Sequence, residues 1–307
     1  MIDKDALRNI ALAISSFKSD SQVLNLLSRA FAADQPQFGA VIVVDSLGSG
    51  AIERAIEENG WRVRYINSET NLGSAGNLDL RLRTAAEMGL EWCFAVNHDG
   101  EVTPAKVAEL VAHAASGERI GAVYPQLIFE RAGSRPDSPR TSFSTYGLIA
   151  KGSDHNGCLE VLWSSSNGAL FRLDAIREGV TAWPQLWMGY EDLAIGWELH
   201  RRGWKQILCA DVQVEDDYEF RPAHFLGRTV YLPTKPPWYT YYHVRNQLLI
   251  QRGTKGSALS RTSVATRFLV DIALILFARR QKATRLRLLF RGLADGLRGV
   301  SGKGPVP

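Results

Sequence analysis

The sequence predicts an α/β fold built on a mixed, mainly parallel sheet flanked by helices, with a helical C-terminal extension. Three observations carry this. Short apolar strands alternate with amphipathic helical stretches over the first 125 residues, several strands end in polar residues, and the chain turns mostly helical after Pro237. At 307 residues, with 45% hydrophobic and 22% charged content, the chain is long enough for one large domain and an appendage.

Residues 10–15 (IALAIS) read as the first strand, and Val23 to Phe31 as an amphipathic stretch after it. AVIVVD (40–45) is a second strand, 51–59 a helix, and WRVRYI (61–66) a third strand. Leu78, Leu82 and Ala85 recur at helical spacing and predict a helix over 77–88. WCFAV (92–96) is a fourth strand, and Thr103-Pro104 opens the next helix. From Tyr124 the segments YPQLIFE, STYGLIAKG and LEVLWSSSNGALF predict mixed or antiparallel pairing. A helix over 190–202, a strand over 206–209 and helices to Arg298 complete the chain. The expected division is 1–237, in halves of about 1–125 and 126–237, and a basic extension over 238–307.

Cys93, Cys158 and Cys209 stand at no metal-ligand spacing, so neither a disulfide nor a zinc site is expected and a reducing cytoplasm fits. The N-terminus lacks the basic-then-apolar plan of a signal peptide. The longest apolar run, 268–278, contains Asp271 and is shorter than the roughly 20 residues that cross a bilayer. Residues 253–307 hold eleven basic side chains against two acids, a net +9, and leave the remainder at about −5. Over 261–298 these arginines alternate with aliphatics. That pattern reads either as a surface for anionic membrane or as a helix pair packed on the body or on a second subunit. Few stacking aromatics accompany them, which speaks against nucleic acid.

In open α/β sheets ligands lie beyond the carboxyl ends of the strands, which places Ser15, Asp45, Asn67 and Asn97-His98-Asp99 on one rim. Asp45 is positioned either to accept from a nucleoside or to close a turn. In NLGSAGN (71–77) the glycines before a helix leave amides for an anion, or Asn71 or Ser74 simply caps the helix. Asp99 is either a ligand for a hard cation or part of an Asp-Gly turn. Glu191-Asp192 opens a helix, where acids complement the dipole or supply a general base.

In this order AVIVVDSLGSG, NLGSAGN, FAVNHDGEV, SSSNGALFRLDAI and GYEDLAIGWELHRRGW resemble the family 2 glycosyltransferases of the GT-A fold. The resemblance is strongest to their rhamnosyltransferase-like and galactofuranosyltransferase-like branch, and YTYYHVRNQLLIQR (239–252) and LLFRGLADGLRG (288–299) extend it to about residue 300. It implies an inverting transfer from a nucleotide-diphosphate sugar, dTDP-rhamnose or a UDP-hexose. Ser15, Asp45, Asn71, Gly73, Gly76, Asn77, Asn97, His98, Asp99, Asn167, Gly168 and Ala169 would lie along the donor. Asp192 matches the catalytic base, with Glu191 beside it. The implied cofactor is Mg²⁺ or Mn²⁺ on Asp99, and Glu215 or Asp216 stands where the family commonly has a histidine. Asn97 replaces the usual first acid of the metal motif, and the segment after Asp45 lacks the family's second acid. The implied acceptor is a cell-surface or polyprenyl-diphosphate-linked glycan, reached by a peripheral protein, as a single chain or a homo-oligomer, at the cytoplasmic face of the membrane. A non-catalytic nucleotide-sugar or glycan binding protein on the same fold is the alternative.

Overall fold

The computed structural model describes residues 7–32, 37–115, 119–129, 135–136, 154–155, 157–216, 220–225 and 228–304. The expected segment STYGLIAKG lies outside them. The first half alternates β1 (Ile10–Ser16), α1 (Asp20–Ala30), β2 (Ala40–Ser46), α2 (Ala51–Asn59), β3 (Val63–Ser68), α3 (Gly73–Glu87), β4 (Trp92–Asn97) and α4 (Pro104–Ala114). There follow β5 (Ile120–Phe129), the short β6 (Arg135–Pro136), β7 (Asp154–His155) and β8 (Cys158–Glu160), then β9 (Ala169–Arg172) and α5 (Leu173–Arg177). The helix α6 (Glu191–Arg201) leads to β10 (Lys205–Glu215). A hairpin, β11 (Phe220–Phe225) and β12 (Arg228–Pro233), precedes α7 (Tyr239–Gly253), α8 (Arg261–Phe277) and α9 (Lys282–Arg298).

The main sheet has the order β3-β2-β1-β4-β9-β5-β10-β8-β7, with β6 paired to β5. Pairings β3-β2-β1-β4 and β5-β10 are parallel, and β9 runs antiparallel between β4 and β5. Period-two alternation makes both faces apolar. Ile10, Leu12 and Ile14 of β1 join one core, with α1 and α4, while Ala11 and Ala13 join the other beside α3 and α5. The parallel strands therefore all end at one edge, where Ser15, Asp45 and Asn97 sit.

Cys158 and Cys209 form a disulfide, contrary to the sequence expectation. They are 51 residues apart, and only the antiparallel register of β8 on β10 sets them opposite each other with Cα atoms 4.2 Å apart. Cys93 is buried and free.

Among the described residues no helix is long and apolar enough to cross a membrane. Helix α9 lies tight against α7: a Cβ added at Gly292 would stand 2.4 Å from the Tyr241 carbonyl oxygen, and one at Gly296 2.6 Å from Leu248. Several tail arginines are spent on this packing rather than left in solvent. Arg279 donates to the Pro233 carbonyl and Arg285 to that of Lys235, while Arg267 pairs with Asp271.

Candidate active site

The carboxyl ends of β1 and β4 form the floor of a cavity of about 440 Å³, roofed by the start of α3 and the loop before α6. Of the residues expected from the sequence, Ser15, Asn71, Gly73, Asn77, Asn97, His98 and Asp99 line it, together with Trp187 and Trp238. Asp99 is exposed at its mouth.

Asn97 is fixed from three sides. Its Oδ1 accepts from the Ser15 hydroxyl at 3.1 Å and from Arg81 at 3.5 Å, and its backbone amide donates to Asn167 Oδ1 at 2.9 Å. The Arg81 guanidinium, fully buried, also donates to the carbonyls of Ala13 and Val96, both at 2.8 Å, tying the ends of β1 and β4 together. Burial lowers its pKa to about 10. Arg81 carries one signal in the sequence, a charged residue three positions after Leu78 on a helix face that turns inward.

Asn167 is the bridge of the site. While its Oδ1 receives the Asn97 amide, its Nδ2 donates to Asp216 Oδ2 at 3.0 Å. A Cβ at Gly100 would lie 2.6 Å from Asn167 Oδ1, so the Asp-Gly turn after β4 brings the backbone beside Asp99 close to this amide. Gly168 donates its amide to the Ala95 carbonyl, and Ala169 pairs with Ala95 inside the sheet.

Of the two carboxylates expected near the metal motif's partner position, Glu215 is exposed, and the neighbouring Asp216 faces the site through Asn167. Side chains alternate along a strand: Val212 and Val214 are buried, so Asp216 continues their face while Glu215 points away. The Glu215 amide instead donates to Glu101, whose carboxyl burial would raise but hydrogen bonds from Thr103 and Lys106 hold low.

Two donor-side expectations also change. The glycine segment 73–76 is the first turn of α3 rather than a loop ahead of it, and two of its amides are already used. Gly73 donates to Asn71 Oδ1 at 2.9 Å, and Ala75 to the Trp187 carbonyl at 3.2 Å. Gly73, at φ +68°, is needed because a Cβ there would sit 2.0 Å from the Trp187 carbonyl oxygen. Gly76 is not part of the cavity lining. Asp45 is fully buried behind the wall: Tyr65 donates to its Oδ2 at 2.9 Å, and its Oδ1 has no partner among the described residues. Asn77 donates to the Val44 carbonyl, and its own oxygen likewise lacks a partner among the described residues.

The acid pair opens α6. Asp192 Oδ1 accepts from the Ser166 amide at 3.0 Å, which aims it along the loop that carries Asn167. Glu191 is half-buried, and among the described residues its buried Oε2 has no hydrogen-bond partner. Burial, and then the Asp192 charge, raise its pKa to about 7 against the opposing pull of its own amide, the Ser74 hydroxyl and Lys235. Lys235, which no sequence signal singled out, is influenced by Glu191, Asp99, Asp216 and Asp192 together; burial lowers its pKa against them. Of these charged groups Asp99 lines the cavity, and Glu191 reaches its wall through the Ser74 hydroxyl.

The loop bearing the pair is held from the C-terminal extension. Asn246 Nδ2 donates to the carbonyls of Leu186, Met188 and Gly189 at 3.0, 2.9 and 3.0 Å, and buried Arg245 donates to Leu186 and Gly302. Asn246→Ala leaves these carbonyls short of donors and is expected to cost roughly 1–3 kcal/mol. Urea unfolding checks this, and amide exchange should quicken at 187–190; unchanged stability and exchange would show the loop is held by other contacts.

The sequence model described as Glycosyl transferase family 2 matches residues 12–179. No curated protein matches the chain. Among solved structures it is similar to S. aureus TarS 1-349 in complex with UDP-GlcNAc, with 14% identity, TM-score 0.56, and 95% of this chain and 81% of that one covered. It is similar to the mannosyltransferase PcManGT from Pyrobaculum calidifontis in complex with GDP-Man and Mn²⁺, with 13% identity, TM-score 0.54, and coverage of 94% and 87%. It is also similar to GalNAc-T7 with UDP, GalNAc and Mn²⁺, with 14% identity, TM-score 0.54, and coverage of 81% and 52%.

Proposed function

This chain belongs to glycosyl transferase family 2 and has the GT-A fold, and from that premise we propose an inverting hexosyl transfer from a nucleotide-diphosphate sugar to a glycan hydroxyl. The observation that carries the reading is the placement of Asp192 and Glu191 beside a cavity whose mouth holds Asp99. The cavity would take the donor, with the nucleotide toward β1 and β2 and the sugar toward Asn167. Asp192 would accept the proton of the acceptor hydroxyl as that oxygen bonds to the anomeric carbon. The bond from that carbon to the diphosphate breaks in the same step, and its electron pair leaves on the phosphate oxygen.

Among the described residues no three His, Cys, Asp or Glu side chains converge around Asp99. The donor set still suits a hard divalent ion, because Mg²⁺ or Mn²⁺ needs few protein ligands when phosphates supply the others. Asp99 would hold it, with Asp216 as second carboxylate, and the ion would supply positive charge to the departing diphosphate. Lys235 would add to that charge from the protein.

The donors in view are dTDP-rhamnose and UDP-hexoses, and the acceptor a cell-surface or lipid-linked glycan. In this reading 1–237 is the catalytic unit, and 238–307 braces the acid-pair loop and meets an anionic membrane. Support for the membrane contact comes from exposed Leu269, Phe277, Phe290 and Leu297 among the exposed Arg280, Arg291 and Arg298. Co-sedimentation with phosphatidylglycerol vesicles, but not with phosphatidylcholine ones, is expected, and Phe277→Glu should reduce it severalfold. Equal recovery with both lipids would remove the membrane from the reading.

Calorimetric titration with UDP and with dTDP, each with and without Mn²⁺, tests the donor side. One nucleotide is expected to bind at least tenfold tighter with the ion, and Asp99→Asn to abolish that gain. Binding of neither nucleotide by the folded protein would overturn the assignment.

A further inference from the structure

A second cluster of metal-ligating side chains lies on the α4 face of the sheet, apart from the cavity. Cys158 and Cys209 are buried there at 1% and 0% exposure, facing each other across β8 and β10. His113, in the last turn of α4, places Nε2 at 3.0 Å from Asp211 Oδ2. Asp211 follows Cys209 in the irregular part of the β10 register, which carries it out to solvent. One ligand atom from each of the four residues falls within 4.8 Å of all the others. His113 is nine residues beyond Pro104 on α4, about 14 Å along the helix axis from the end near Asp99.

We propose that the reduced chain binds one Zn²⁺ through Cys158, Cys209, His113 and Asp211, and that formation of the disulfide excludes the ion. Two thiolates, an imidazole and a carboxylate are a four-coordinate zinc donor set. Zinc bonds of about 2.0–2.3 Å give tetrahedral edges of roughly 3.3–3.8 Å, so the cluster closes on an ion by side-chain rotation of about 1 Å. Half-exposed Asp211 and partly exposed His113 give the ion a route from solvent, while the two sulfurs stay in the core. A dithiol supplies the two electrons and two protons that open the disulfide, and is itself oxidised to a cyclic disulfide. Zinc then displaces both thiol protons and takes the Asp211 carboxylate and neutral His113 as its other ligands. No ligand spacing in the sequence marks this site, because its ligands come from three elements at positions 113, 158, 209 and 211.

The test is a Co²⁺ titration of the full chain, nucleotide-free, before and after reduction with dithiothreitol and anaerobic desalting. The reduced protein is expected to take up one equivalent with thiolate-to-cobalt charge-transfer absorption and the strong visible bands of tetrahedral Co²⁺. One equivalent of Zn²⁺ should bleach both, and the disulfide form should show neither. A cation on Asp99, beside Asn97 and His98, gives no thiolate band, so failure here leaves the transferase reading untouched. His113→Ala, which keeps both buried sulfurs, is expected to weaken binding at least tenfold, and Cys158→Ser to remove the charge-transfer band. Absence of that band in the reduced protein, or unchanged Co²⁺ affinity in His113→Ala, would overturn the site.

Discussion

Asp192→Asn is expected to lower kcat by about 10²–10⁴-fold, the usual contribution of a positioned general base. The substitution keeps a side-chain oxygen that accepts from the Ser166 amide, now made at 3.0 Å, so the loop carrying Asn167 should stay in place. What it removes is the basic lone pair that takes the acceptor proton. Nucleotide affinity should therefore change by less than about threefold, and the loss should fall on kcat rather than on donor binding. Steady-state kinetics with a nucleotide-sugar donor and calorimetry with the bare nucleotide separate the two. A variant retaining more than a tenth of the activity would sink Asp192 as the base.

Glu191→Gln is expected to move the acidic limb of the pH profile. Burial and the adjacent Asp192 raise the Glu191 pKa to about 7, so near neutrality the pair shares a proton that must leave before it acts as a base. The wild-type kcat should rise with an apparent pKa near 7. In Glu191→Gln the remaining carboxylate faces no like charge, so the limb should fall by at least one unit. Stability carries the same signature with a definite sign. Between pH 4.5 and about 7 the folded chain keeps a proton on Glu191 that the unfolded chain has released, so stability falls as pH rises through that window. Full ionisation costs on the order of 3 kcal/mol. Glu191→Gln should flatten that slope and leave the variant more stable than wild type at pH 8. Parallel wild-type and variant curves in urea unfolding between pH 5 and 8 would contradict the raised pKa.

These expectations rest on residues of unequal visibility in the sequence. The parallel half was readable because each strand is a compact apolar run closed by a polar residue, and the paired pattern of Ile10, Leu12 and Ile14 against Ala11 and Ala13 needs no distant partner to be seen. The cavity residues Ser15, Asn97, His98 and Asp99 followed from the same logic, since parallel strands must end on one edge. The choice between Glu215 and Asp216 is not legible in the sequence, because facing in a strand has period two and a shift of one position reverses inside and outside. Asp45 ends its strand as expected, yet Tyr65 and the following loop close over it.

The sequence by itself determined the α/β class, the order of elements, the rim and the acid pair, because these depend on local periodicity and on short ordered motifs. Tertiary structure alone decided that Asn167 joins the Asn97 amide to Asp216, that Lys235 sits among four carboxylates, and that Asn246 holds the loop before Glu191. It also paired Cys158 with Cys209 and brought His113 and Asp211 beside them. The physical reason is shared: most of these contacts join residues tens of positions apart, and strand register and helix packing, which leave no local trace in the chain, set the ångström-scale distances between them.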